Sequence, residues 1–122
     1  MISDILAKVT DSLFNIKNSN FSESCPIGII DIDNWEWPQG VGMYGLFKCY
    51  KKFGNKEYLQ RLQKWYDGHL NKELPDRNVN TTAPMLALAF LYEETGREDY
   101  KELCVDWADW VMNDMARTPE GG

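Results

Sequence analysis

A chain of 122 residues with 43% hydrophobic and 26% charged content has the length of one domain and enough apolar side chains for a sizeable core. Its formal net charge of −6, with no basic stripe, excludes a phosphate-backbone binder, so no nucleic-acid partner is expected. No run is long and apolar enough to span a bilayer, and Asp4 interrupts the N-terminal apolar stretch in a way foreign to signal peptides, so the expected compartment is the cytoplasm and no membrane partner is expected.

Residues 3–17 read as an amphipathic helix, with Ser3 as cap and Ile5, Leu6, Val9, Leu13 and Ile16 on one face. Asn18-Ser19-Asn20 ends it. From Phe21 to Asn34 the chain reads as extended, and Ile29-Ile30-Asp31-Ile32 is a strand candidate within it. Asn34 to Gly45 is the most distinctive stretch: Trp35 and Trp37 flank Glu36, and Pro38 stands where a helix would begin, its missing N–H costing nothing in a first turn. That helix, 38–53, is apolar on nearly every side, as a buried helix is, and stops at Gly54. Gly40, Gly42 and Gly45 within it predict a close backbone approach, because each costs about 1 kcal/mol against alanine.

Asn55 caps the next helix, 56–70, which has one apolar face (Tyr58, Leu62, Trp65, Tyr66) and one wet face. A polar loop with Pro75 leads to a helix over 82–95, capped by Thr81 or Thr82, with Pro84 in its first turn and Gly96 as its stop. The last helix, 98–115, buries Tyr100, Leu103, Cys104, Trp107, Val111 and Met115. Cys49 and Cys104 fall on apolar helical faces and read as core thiols. With Cys25 the cysteines number three and lack CxxC spacing, so neither a disulfide framework nor a metal cluster is indicated, and no cofactor is expected.

The second half repeats the first. An offset of 42 pairs eight identical residues between 43–71 and 85–113, among them Met43/Met85, Tyr50/Tyr92, Gly54/Gly96, Trp65/Trp107 and Asp67/Asp109. Each unit is a helix apolar all round, a glycine stop, and a helix apolar on one face. Such αα-hairpins suit a two-layer ring or solenoid, with 38–53 and 82–95 inside and 56–70 and 98–115 outside. The predicted class is therefore all-α, in one helical domain spanning 1–122.

Trp35-Glu36-Trp37-Pro38-Gln39-Gly40-Val41-Gly42-Met43-Tyr44-Gly45-Leu46 resembles the opening motif of the unsaturated rhamnogalacturonyl hydrolases, the family 105 glycoside hydrolases related to the family 88 unsaturated glucuronyl hydrolases. Asn78-Val79-Asn80-Thr81-Thr82-Ala83-Pro84, Leu91-Tyr92-Glu93-Glu94-Thr95-Gly96 and the ending Arg117-Thr118-Pro119-Glu120-Gly121-Gly122 extend the likeness. The resemblance implies an (α/α)6 toroid of six hairpins that degrades pectin-derived oligosaccharides by hydrating the 4,5 double bond of an unsaturated uronic acid. It also implies that an aspartic acid does the proton transfer, and that this residue follows the Glu-Gly-Gly of relatives. No residue here matches it, so no catalytic residue is assigned, and the chain reads as the N-terminal third of such an enzyme, a fragment inactive alone.

By the same resemblance Trp37 and Asn80, each just before an inner helix, are substrate contacts at one mouth, an indole face for a sugar ring and an amide for its hydroxyls. The alternatives are that Trp37 packs under its loop and Asn80 merely caps a helix. Gln39 and Asn78 are expected to hydrogen-bond behind them. Glu36 is a tempting general acid between two indoles but reads better as a solvated loop residue. Asp31 and Asp33 read as turn formers. His69, the one histidine, reads as packed against its helix's apolar side, and no metal-ligand set is present. Lys48, Lys51 and Lys52 can pair with Glu93, Glu94 and Asp99 across the hairpins. The competing reading is a non-enzymatic helical-repeat interaction module, and an open arc of this kind is expected to self-associate through its exposed apolar edges.

Overall fold

The computed structural model describes residues 1–17 and 30–122. Six helices follow one another: α1 (Ile2–Phe14), α2 (Trp37–Phe53), α3 (Lys56–Leu70), α4 (Val79–Thr82), α5 (Met85–Thr95) and α6 (Glu98–Asn113). Among the described residues there is no strand. The strand candidate falls partly outside them, and its described part, from Ile30 on, runs into a turn in which the Asn34 N–H meets the Asp31 carbonyl.

The turn inside each hairpin forms as its sequence dictates. Gly54 and Gly96 both stand at φ 67°, and each N–H returns to a tyrosine carbonyl four residues back, Tyr50 and Tyr92. Only glycine takes that left-handed conformation without strain, so the stop was legible in both repeats. Asn55 caps α3 by accepting from the Glu57 N–H.

Several boundaries differ from expectation, α2 starting at Trp37 and α6 ending at Asn113 among them. α1 starts at Ile2 with Met1 at its cap position, so Ser3 lies inside the helix, and it ends at Phe14. Its expected apolar face is used only at the far end: Leu13 and Phe14 meet the core, while Ile5 and Val9 face solvent. The expected helix over 82–95 divides into α4 and α5. Its cap is Asn78, not a threonine, and Pro84 interrupts the ladder because it has no N–H to donate. Ala83 and Pro84 keep helical angles, so the division is a loss of hydrogen bonds and not a change of direction.

α2 and α5 lie side by side and run the same way. Near their starts the backbone of Gly40 rests on Ala83 and Pro84, so close that an added Cβ would sit 2.7 Å from main-chain atoms. Midway, Phe90 stacks on Tyr44 and Phe47, with centroids 5.9 and 5.2 Å away. Near their ends Tyr50 donates to Glu94 at 2.6 Å and Lys51 pairs with it at 2.9 Å. The close approach expected of the glycines is thus real at Gly40 and, against the Leu13 side chain, at Gly42; Gly45 faces open space.

α3 and α6 form the outer layer. The core between the layers holds Met43, Leu46, Leu62, Tyr66, Leu88, Leu91, Tyr100 and Trp107, with Ile32 and Trp35 closing one end. Cys49 and Cys104 are half-buried at its margin, and burial pushes the Cys104 thiol up to about 11; Cys25 lies outside the described residues. Across the outer layer Arg97 pairs with Asp67 at 2.7 Å, and the Tyr100 hydroxyl donates to the same carboxylate at 2.8 Å. Of the lysines expected to pair between hairpins, Lys51 does, whereas Asp99 pairs with Arg97 of its own hairpin. No helix among the described residues is long and apolar enough to cross a membrane.

Candidate functional site

The starts of α2, α4 and α5 and the ends of α3 and α6 come together at one end of the arc. There the turn 31–35 is held by side chains reaching its backbone. Trp65 donates its indole N–H to the Ile32 carbonyl at 2.7 Å, and the Gln39 amide donates to the Asp31 carbonyl. Lys17 pairs with Asp31 and Asp33, and the Asp33 N–H returns to Asp31 at 2.9 Å. That N–H, followed by Lys17, holds the Asp31 carboxyl below the ordinary carboxylate range.

Two tryptophans two residues apart take opposite places. Trp35 is buried, stacked on Trp65 at 5.5 Å and 11°, with Tyr66, His69 and Trp107 around it. Its indole N–H donates to the Thr81 carbonyl at 2.8 Å, tying this turn to the start of the second hairpin. Trp37, in the first turn of α2, is 53% exposed. It does not pack under its loop.

The second turn is built by a reciprocal cap. The Asn78 side chain accepts from the Asn80 and Thr81 N–H groups at 2.8 and 3.0 Å, and Thr81 Oγ1 accepts from the Asn78 N–H at 2.8 Å. Trp107 donates to Thr82 Oγ1 at 3.0 Å, and Thr82 donates on to the Asn78 carbonyl at 2.7 Å. Asn78 is therefore the cap, and Asn80 is left with its side chain exposed and without a hydrogen bond to any described residue.

Gln39 is 1% exposed, and its Oε1 meets no hydrogen-bond partner among the described residues. It supports the 31–35 turn from beneath. Glu36 occupies the cap position of α2 in an extended conformation, half-exposed. His69 lies half-buried against Trp65 and Trp35; burial, and then the Lys72 ammonium, hold its imidazole below the ordinary value. Arg77 covers the Trp107 ring at 5.1 Å and pairs with Asp106, a brace at this end that no spacing in the sequence announced. No group of three or more metal-ligating side chains is assembled among the described residues.

What this end of the arc offers is one exposed indole and one free amide, each carried on a turn whose backbone is pinned from below. A planar face and a hydrogen-bonding group at the same end of the arc suit a sugar ring, whose faces are apolar C–H surfaces and whose edges are hydroxyls.

Comparison with known proteins agrees with this architecture. The Glycosyl Hydrolase Family 88 profile matches residues 8–122. The chain is 34% identical over 87 residues to the unsaturated rhamnogalacturonyl hydrolase YesR of Bacillus subtilis (strain 168), covering 71% of this chain and 25% of that protein. Two solved structures, possible GH105 members from Salmonella enterica serovar Paratyphi A and Klebsiella pneumoniae, superpose with TM-scores of 0.87 and 0.85 at 34% identity. Each is matched over 98% of this chain and 33% of its own length, so the chain spans about a third of the solved structures it resembles. Its two hairpins and leading helix correspond to the N-terminal portion of their (α/α)6 toroids.

Proposed function

Because the chain belongs to glycosyl hydrolase family 88, we propose that it supplies part of the sugar-binding mouth of an enzyme acting on unsaturated uronyl oligosaccharides of the pectic, rhamnogalacturonan type. The similarity to YesR supports the substrate class. The observation that carries the reading is Trp37, a large indole left half in solvent at the start of α2 although the neighbouring Trp35 is buried. Trp37 would stack on a sugar ring and Asn80 would hydrogen-bond a hydroxyl, while Gln39 and Asn78 hold the two turns beneath them. The reaction proposed for the whole enzyme is hydration of the 4,5 double bond: one alkene carbon gains a proton, the other a hydroxyl, and the resulting hemiketal opens to release the next sugar. No residue of 1–122 is assigned the acid. The setting proposed is cytoplasmic degradation of pectin fragments.

The test is a titration of the 122-residue chain with an unsaturated rhamnogalacturonan disaccharide, read from the tryptophan indole N–H resonances. The Trp37 resonance is expected to shift with saturation, Trp37→Ala to abolish any response of the remaining indole resonances, and Asn80→Ala to weaken binding by up to about tenfold, the worth of one hydrogen bond. No turnover is expected of these residues alone. Binding that leaves the Trp37 resonance unmoved would reject the mouth as the site.

A further inference from the structure

A cavity of about 550 Å³ lies between the end of α1, α3 and the 31–35 turn, and neither Trp37 nor Asn80 lines it. Phe14, Ile32 and Trp65 give it apolar walls. Its other lining includes Arg61, Lys64, Lys72 and Asp33. Two of these charges are already answered: Arg61 pairs with Asp11 at 2.7 Å and Glu57 at 2.9 Å, and Asp33 pairs with Lys17. Lys64 and Lys72 are exposed, and neither has a carboxylate partner among the described residues. In a chain of net charge −6, two unanswered ammonium groups on one cavity are a local exception.

Between the two lysines stands a glycine. Lys64, Gly68 and Lys72 follow at intervals of four, a single row along α3 and the turn that closes it. A glycine weakens a helix interior, and packing does not require this one, since a Cβ added at Gly68 would meet nothing within 4 Å. The 42-residue repeat shows what the row holds when the fold alone sets it. Its mates on α6 and the following residue are Asp106, Trp110 and Asp114. Both helices belong to the outer layer and have nearly the same length, so neither the cations nor the gap is a condition of folding. The first hairpin is positive where the second is negative, and empty where the second carries an indole.

We propose that this cavity is a second binding site, separate from the sugar mouth, for a phosphate monoester carried on an apolar ring. The phosphate would lie over Gly68, between the Lys64 and Lys72 ammonium groups, and the ring against Phe14, Ile32 and the edge of Trp65. A phosphate monoester carries about −1.5 to −2 charges at neutral pH, which two lysines match and a lone carboxylate does not. Lysine stems are long enough to bring both charges together from two turns apart, and the missing side chain at Gly68 lets the anion approach the helix. The volume lies within the range of small-molecule sites and exceeds what a bare phosphate needs. The turn that forms one wall also precedes Trp37, so an occupant here would rest against the support of the mouth.

The experiment titrates the 122-residue chain with phenyl phosphate and follows the Trp65 indole N–H, which is bonded to the Ile32 carbonyl in the cavity wall. A saturable shift is expected, several-fold weaker binding of inorganic phosphate, and no response to phenol. The double variant Lys64→Asp, Lys72→Asp, which installs the second repeat's residues, is expected to bind at least about tenfold more weakly at unchanged helical content. Gly68→Ala is expected to raise the unfolding midpoint by about 2–4 °C and still weaken binding several-fold, a pairing that a purely structural glycine would not give. Trp37→Ala is expected to bind phenyl phosphate as the parent does. The proposal is overturned by full affinity in the lysine variant or in Gly68→Ala, by inorganic phosphate binding as tightly as the ester, or by loss of binding in Trp37→Ala, which would give the anion to the mouth. Should Gly68→Ala fail to fold, the lysine variant decides.

Discussion

The indole nitrogen of Trp35 donates to the main-chain oxygen of Thr81 at 2.8 Å, joining residues 46 apart in sequence and clasping the start of the second hairpin to the turn that precedes the first. Both partners are buried. The two turns that carry Trp37 and Asn80 are therefore held in one relative position by a single bond within a cluster of stacked rings. Trp35→Phe keeps most of the apolar contact and leaves the Thr81 carbonyl unpaired, so chemical denaturation should register a loss of about 1–3 kcal/mol. Trp37→Ala, at an exposed position, should register almost none while abolishing sugar binding.

The glycines of α2 separate by position. Gly40→Ala forces a Cβ to within 2.7 Å of the Ala83 and Pro84 backbone, where neither side can yield cheaply, and should cost about 1–3 kcal/mol or more. Gly45→Ala meets nothing within 4 Å in a helix interior and should stabilise by about 0.5–1 kcal/mol. Urea unfolding of the two variants side by side checks both signs.

Asn78 and Asn80 are alike in chemistry and two residues apart, yet only Asn78 caps α4. Asn78→Ala should lower stability by about 0.5–2 kcal/mol, and Asn80→Ala should stay within about 0.5 kcal/mol of the parent. Thermal melts distinguish them.

His69 gives the chain a pH dependence of known sign. Its folded pKa lies below the ordinary 6.5 of an unperturbed histidine through burial and Lys72, with Asp33 opposing, so the unfolded chain takes up the proton first. The stability it allows is present in full above that value and is lost as pH falls below it. The carboxylates held low by hydrogen bonds, Asp31, Glu94 and Asp99, surrender their contributions only at more acid pH, below 4.5. Between about pH 7.5 and 5.5 the fall in stability should flatten in His69→Phe, which keeps a ring against Trp65 but cannot charge.

Much of this protein was written in local sequence. Gly54 and Gly96 announce helix stops because φ near 67° is free of strain only for glycine, Asn55 announces a cap because its oxygen can reach the next turn, and the 42-residue repeat announces two hairpins because like patterns bury like faces. Sequence alone also separated inner from outer helices, since a helix apolar all round can only lie between layers. What tertiary structure decided is which of two equivalent neighbours does which task. Trp35 goes in and Trp37 stays out because Trp65, Tyr66 and Trp107, from α3 and α6, converge on one of the two positions. Asn78 caps and Asn80 is free. Gln39 is enclosed beneath the 31–35 turn, and Gly40 comes to rest on the Ala83 and Pro84 backbone. Each of these outcomes depends on atoms brought from far along the chain. Helical periodicity reports which face of a segment is apolar, but not which surface the rest of the molecule will lay against it.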